Sequence, residues 1–207
     1  MAVKVLSAEF SKTATRREEW PAGPLPELAF VGRSNVGKSS MLNALTRRTR
    51  LARVSNTPGR TRALQFFAVS VEPSPAARPV ALRLCDLPGY GYAKVSREER
   101  DRWARMIEDY LRVRADLRAV VLIVDGRHPP TGSDRDALAF LAQAGRPVVV
   151  AATKLDKLAR NRRAAAVREV ERGLGLEPGS AVPFSAVEGT GTDALWARIL
   201  EIAAPPA

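Results

Sequence analysis

The chain has 207 residues, with 33 Lys+Arg, 22 Asp+Glu, one His and one Cys, for a formal net charge of +11. That length suits one α/β domain and is short for two, and the 45% hydrophobic content supports a buried core and excludes wholesale disorder. The apolar runs fall far short of the ~18 residues that span a bilayer. Residues 1–20 lack a signal-peptide stretch, and a lone Cys85 rules out an internal disulfide and argues against a zinc cluster. A soluble, cytoplasmic protein with a polyanionic partner is expected.

The charge is uneven. Residues 27–62 hold eight Lys and Arg against a single acid, Glu27, and within them Arg47, Arg48, Arg50, Arg53, Arg60 and Arg62 have no acid among them. Arginine suits phosphate recognition, because its fork binds two phosphate oxygens at once.

Residues 1–26 read as a short extension bearing Pro21 and Pro24, and 27–207 as the domain. LAFVG (28–32) reads as a buried strand, and 35–48 as a helix reached through a glycine-bearing turn. Residues 49–63, with Asn56, Pro58 and Gly59, read as a loop. Segments 64–71 and 79–86 read as a strand hairpin, 88–95 as a mobile glycine-rich stretch, and 96–113 as a charged amphipathic helix. The run 119–126 has the continuous apolar character of a central parallel strand. A helix over 133–145, capped by Ser133 or Asp134 and closed by Gly145, comes next. Then follow a buried strand at 147–154, a helix at 158–175, a short strand at 181–187 and a helix at 192–204. This alternation predicts an open, mostly parallel sheet covered on both faces, with ligands bound at the carboxyl ends of its strands.

The motifs fall at those ends. Gly32-Arg33-Ser34-Asn35-Val36-Gly37-Lys38-Ser39 fits G-x-x-x-x-G-K-S/T between a strand and a helix. Its glycines let backbone N–H groups turn toward phosphate oxygens, and the helix adds its positive end. Lys38 then reaches the β- and γ-phosphates, and the Ser39 hydroxyl binds Mg²⁺. Asp86-Leu87-Pro88-Gly89 ends another strand; its Asp can hold Mg²⁺ through a water, and the Gly89 N–H can sense a γ-phosphate. Tyr90 stands where Ras-like enzymes place a water-positioning Gln, so unassisted turnover is expected to be slow. Thr153-Lys154-Leu155-Asp156 fits the [NT]-K-x-D motif: the Asp156 carboxylate can accept two hydrogen bonds from guanine, an edge that adenine lacks. Phe184-Ser185-Ala186 matches the least specific guanine motif, with the Ala186 N–H on the keto oxygen. In 55–62, Thr57 and Thr61 are both candidates for the switch threonine.

The series GRSNVGKSS, SNTPGRT, DLPGYG, TKLD and FSA resembles the EngB family (also called YihA or YsxC) of bacterial ribosome-biogenesis GTPases, over about 27–205. The resemblance implies a P-loop, Ras-like G domain with a mostly parallel six-stranded sheet and helices on both faces. It makes Thr61 the switch threonine and second protein ligand of Mg²⁺ beside Ser39. It puts GTP or GDP against 32–39, Gly59-Arg60-Thr61-Arg62-Ala63, 86–89, 153–156 and 184–186. Asn35 matches a loop Asn that helps related GTPases bind a catalytic K⁺. Arg62 departs from the family, which more often has Gln there. The implied partner is the large ribosomal subunit with its rRNA, the implied process includes division-linked growth, and a monomer is expected. Two other readings stay open: an RNA-binding module holding GTP as a structural ligand, and a regulatory GTPase with a protein partner. His128 reads as a loop residue, Cys85 as a small buried hydrophobe, and Trp103 and Trp196 as core. Trp20 either packs on the domain or meets a partner.

Overall fold

A computed structural model describes residues 3–52, 63–75, 77–90 and 97–203, with the side chains of Arg97, Glu99, Arg100 and Trp103 excepted. Seven strands form one sheet: β1 (Lys4–Ala14), β2 (Glu27–Gly32), β3 (Leu64–Glu72), β4 (Val80–Asp86), β5 (Leu117–Asp125), β6 (Val148–Thr153) and β7 (Val182–Pro183). Five helices accompany them: α1 (Lys38–Thr46), α2 (Arg97–Val113), α3 (Gly132–Gln143), α4 (Arg160–Leu174) and α5 (Thr192–Ala203). The spatial order is β1-β3-β4-β2-β5-β6-β7. β4, β2, β5, β6 and β7 run parallel, while β3 joins β4 and β1 joins β3 antiparallel.

Every residue of β2 is buried, and its side chains alternate between two cores. Leu28 and Phe30 join Leu42, Leu45, Trp196 and Ile199 beneath α1 and α5. Ala29 and Val31 join Tyr110, Leu111, Leu141 and Val170 beneath α2, α3 and α4. Each large side chain buried this way contributes about 1.5–3 kcal/mol.

Four expectations are corrected. The sheet has seven strands, not six, because the segment read as an extension supplies β1. Register breaks between Val5 and Ser7 and between Phe10 and Lys12 interrupt its two-residue period, and Leu6 and Phe10 face solvent, so its strand pattern is blurred. α1 begins at Lys38 rather than at 35, because Asn35 and Gly37 take left-handed backbone angles (φ 59° and 108°) that shape a loop. The cap of α3 is Thr131, one turn ahead of Asp134, which closes a reciprocal capping box with it. β7 pairs with β6 over two residues only.

Cys85 and Trp196 are buried as expected, and Trp20 packs on the domain at 9% exposure. His128 is exposed in the loop after β5. The Trp103 side chain lies outside the described residues, as do the stretches 53–62 and 91–96.

Candidate functional site

The carboxyl ends of β2, β4, β5 and β6 share one edge of the sheet, and the loop 32–39 crosses it between β2 and α1. A side chain at Gly32 would come within 2.7 Å of Val36 Cγ1 and 2.8 Å of the Ile123 carbonyl, so only glycine lets the loop fold onto β5. Val36 is buried at 2% exposure, and its carbonyl lies 2.7 Å from the Thr153 hydroxyl, which is also 3.0 Å from the Val124 carbonyl. The threonine that opens TKLD thus ties the glycine loop to β5 and β6.

Lys38, at the first turn of α1, pairs with Asp86 at the end of β4. Both side chains are largely buried, at 10% and 4% exposure, so this pair sits where an ammonium and a carboxylate are poorly hydrated. Ser39 follows Lys38 in the same turn and is half-buried. Leu87, Pro88 and Gly89 are buried directly after β4, and Leu87 N–H donates to the Phe30 carbonyl at 3.0 Å.

Lys154 holds a left-handed backbone (φ 61°) that aims its side chain back over the loop. Its ammonium donates to the Asn35 carbonyl at 2.6 Å and pairs with Asp125 at 3.0 Å. Burial opposes ionisation of Asp125, but hydrogen bonds from Arg127 and Lys154 outweigh it and hold the carboxyl below the usual carboxylate range. Two residues on, the Asp156 carboxylate accepts from the Ser185 hydroxyl at 2.9 Å. Ser185 is fully buried, its hydroxyl accepts the Glu188 N–H at 3.1 Å, and its own N–H donates to the Thr190 carbonyl at 3.0 Å. The strand end before it is fixed by the Phe184 N–H on the Ala152 carbonyl at 2.8 Å.

Of the expected site residues, 32–39, Ala63, 86–89, 153–156 and 184–186 are described, and Gly59, Arg60, Thr61 and Arg62 lie outside the described residues. The structure directly joins Lys38 to Asp86, Lys154 to Asn35, Thr153 to Val36 and Ser185 to Asp156. Sequence reasoning passed over Asp125 and Asp134. Asp125 ends an apolar strand as Asp86 does, which is a usable signal; Asp134 looked like a helix cap and no more.

Comparison with known proteins agrees with this arrangement. A family described as "50S ribosome-binding GTPase" matches residues 27–154. The chain is 72% identical over 204 residues to the probable GTP-binding protein EngB of Anaeromyxobacter sp. (strain K), covering 99% of this chain and 94% of that protein. It is 46% identical to the EngB of Myxococcus xanthus, covering 96% of each. A crystal structure of a probable GTP-binding protein EngB aligns with a TM-score of 0.63 at 25% identity, over 86% of this chain and 98% of that one. Era in complex with MgGDPNP and a piece of 16S ribosomal RNA shares the fold, with a TM-score of 0.70 at 23% identity over 90% of this chain and 59% of that one.

Fold and glycine loop together define a P-loop GTPase G domain of the Ras-like kind. Within that class the chain belongs to the EngB family of GTP-binding proteins.

Proposed function

We propose that this protein is a Mg²⁺-dependent GTPase acting in the cytoplasm as a monomeric switch in assembly of the large ribosomal subunit, and so supports growth and cell division. The observation that carries the nucleotide part is convergence: the glycine loop, the Lys38–Asp86 pair and the Ser185-held Asp156 meet along one edge of the sheet. Lys38 would exchange Asp86 for β- and γ-phosphate oxygens, and Asp156 would accept the guanine ring N–H and amine. The backbone of 32–39, 86–89, 153–156 and 184–186 would surround the nucleotide, and 59–63 would contact it as the family resemblance implies.

The donor set fits Mg²⁺. Ser39 and Asp86 offer hard oxygens beside the phosphate loop, with Asp86 acting through a water, and Thr61 would be the second protein ligand. The ion supplies charge neutralisation on the phosphates. Asn35 is exposed, and its carbonyl is already taken by Lys154, so a K⁺ would use its side-chain amide. The family description, the +11 charge and the arginines of 47–62 support a ribosomal RNA partner. No described helix is long and apolar enough to cross a membrane.

The test is GTP and ATP binding, with hydrolysis measured with and without Mg²⁺, in K⁺ and Na⁺, and with and without large ribosomal subunits. GTP preferred over ATP, Mg²⁺-dependent turnover raised by the subunit, and co-sedimentation that weakens steeply with salt are expected. Lys38→Ala should weaken GTP binding on the order of 10²-fold, because charge-assisted phosphate contacts are lost. Equal affinity for ATP would overturn the role of Asp156. GTP binding without turnover under every condition would leave GTP as a structural ligand.

A further inference from the structure

Tyr90 follows Gly89, and its side chain reaches Asp134 in the first turn of α3. Its hydroxyl donates to Asp134 Oδ1 at 3.0 Å. Asp134 is fully buried, and its two oxygens serve different segments. Oδ2 accepts from the Thr131 N–H at 2.8 Å and the Thr131 hydroxyl at 2.7 Å, which closes the start of α3. Oδ1 accepts from the Tyr90 phenol, and Arg33 Nε of the glycine loop lies 3.3 Å from it as a counter-charge without a hydrogen bond. A buried carboxylate must be satisfied from its surroundings, so this one holds its donors firmly.

The two residues that meet at Oδ1 are also paired through the backbone. Arg33 and Tyr90 form a parallel bridge, with the Tyr90 N–H on the Gly32 carbonyl at 3.3 Å and the Ser34 N–H on the Tyr90 carbonyl at 3.2 Å. On the other side of Pro88-Gly89, the Leu87 N–H is held by the Phe30 carbonyl at 3.0 Å. Gly89 is therefore tethered at both flanks to the strand and loop that lead to the phosphates. The outer tether is the phenol.

We propose that Tyr90 and Asp134 are positioning residues for the γ-phosphate: the Tyr90–Asp134 hydrogen bond, beside the Arg33–Tyr90 backbone bridge, locks the end of DLPG against the glycine loop and so presets the Gly89 N–H. This rests on the reading of the site as a GTP site, and it assigns Tyr90 a task in place of water positioning. Burial, together with the charge of Asp134, lifts the phenol well above its usual range, so it remains a donor throughout the physiological range. GDP lacks the phosphate that Gly89 addresses, so the tether should matter for GTP and not for GDP.

The experiment compares Kd for GDP and for GDPNP, together with GTP turnover, in the unmodified protein, Tyr90→Phe and Thr131→Ala. Phenylalanine keeps the ring packed on the core beneath α2, α3 and α4, where with Val31, Pro88, Ile107 and Phe140 it lines an apolar cavity of about 360 Å³, and removes only the hydroxyl. Tyr90→Phe should weaken GDPNP roughly three- to tenfold, the loss expected for one buried hydrogen bond, and leave GDP within about twofold. Thr131→Ala weakens the helix cap and leaves the phenol in place, so it should lower Tm without changing the GDPNP/GDP ratio. Equal loss for both nucleotides, no change in either, or tighter GDPNP binding in Tyr90→Phe would overturn the proposal. The last result would make the contact a latch that GTP must break. An unmodified protein that binds GDPNP but never turns over GTP sinks the enzyme reading and leaves this one to the ratio; one that binds neither nucleotide sinks both.

Discussion

Glu27 at the amino edge of the sheet and Asp86 and Asp156 at its carboxyl edge handle charge in opposite ways. At the amino edge, Glu27 opens β2 fully buried and is saturated by fixed donors: Arg83 Nη1 at 3.1 Å, the Tyr110 hydroxyl at 3.0 Å, and Arg114 Nε at 2.9 Å and Nη2 at 2.5 Å. The same guanidiniums reach back to the chain that precedes β2, Arg83 to the Gly23 carbonyl at 3.0 Å and Arg114 to the Pro21 carbonyl at 2.8 Å. Arg114 also lies 5.8 Å from the Trp20 ring centre, and Trp20 meets Tyr110 edge-on. At the carboxyl edge, among the described residues, the Asp86 carboxylate meets Lys38 and the Asp156 carboxylate accepts from Ser185 with the Lys157 ammonium 3.6 Å away, whereas Asp125 takes three donors of Arg127 and one of Lys154 and is fastened as Glu27 is. A carboxylate with four donors from three residues is a fastening. A carboxylate with one is ready to exchange partners. The comparison separates stability from binding: amino-edge changes should alter the first and spare the second.

The largest effect is expected from Glu27→Gln. It takes the Glu27 counter-charge from Arg83 and Arg114, at 7% and 12% side-chain exposure, and leaves Arg114 with Asp116 at 3.2 Å. Removing one partner of a buried pair costs about 3–5 kcal/mol. Urea unfolding should show that loss, while GDP affinity per folded molecule stays within about twofold. A variant that unfolds normally but binds GDP poorly would break the comparison.

The two edges were also unequally legible in the sequence. The motifs of the carboxyl edge are legible because they are local: G-x-x-x-x-G-K-S needs a loop between one strand and one helix, and T-K-x-D needs one strand end, whereas Asp125 and Asp134 carry no such motif. The amino edge was invisible because Glu27, Arg83 and Arg114 are far apart in sequence and meet only through β2–β4 pairing and the end of α2. Trp20 stayed undecided for the same reason, since its partner is Arg114. β1 was missed because its register breaks hide the alternation that marks a strand. The link from Tyr90 to Asp134 spans 44 residues, so the tyrosine read only as a missing glutamine.

A middle-sized effect is expected at the carboxyl edge from Asp156→Ala. It removes the carboxylate proposed to read guanine, and hydrogen bonds to a charged group contribute about 1.5–3 kcal/mol each. With two such bonds at the low end of that range, nucleotide competition should show GTP affinity falling on the order of 100-fold with ATP unchanged. Among the described residues Asp156 has one hydrogen-bond partner apart from the Lys157 ammonium 3.6 Å away, so the melting temperature should barely move. A large loss of Tm would place Asp156 with the fastenings.

The smallest effect, and the sharpest for the comparison, is expected from Ser185→Ala. Its hydroxyl both steadies Asp156 at 2.9 Å and accepts the Glu188 N–H at 3.1 Å, so it joins a reading group to the turn that carries it. The residue is fully buried, and alanine fills nearly the same volume, so the change is the loss of one neutral hydroxyl. Losing one such hydrogen bond costs about 0.5–1.5 kcal/mol. If Asp156 is an exchangeable carboxylate that Ser185 merely aims, that cost should appear in guanine affinity as a loss of a few-fold, with turnover of bound GTP unchanged. If instead the pair is part of the fold, the cost should appear in urea unfolding and leave affinity alone. The two measurements on one variant therefore decide whether the carboxyl edge is built for exchange up to its last contact.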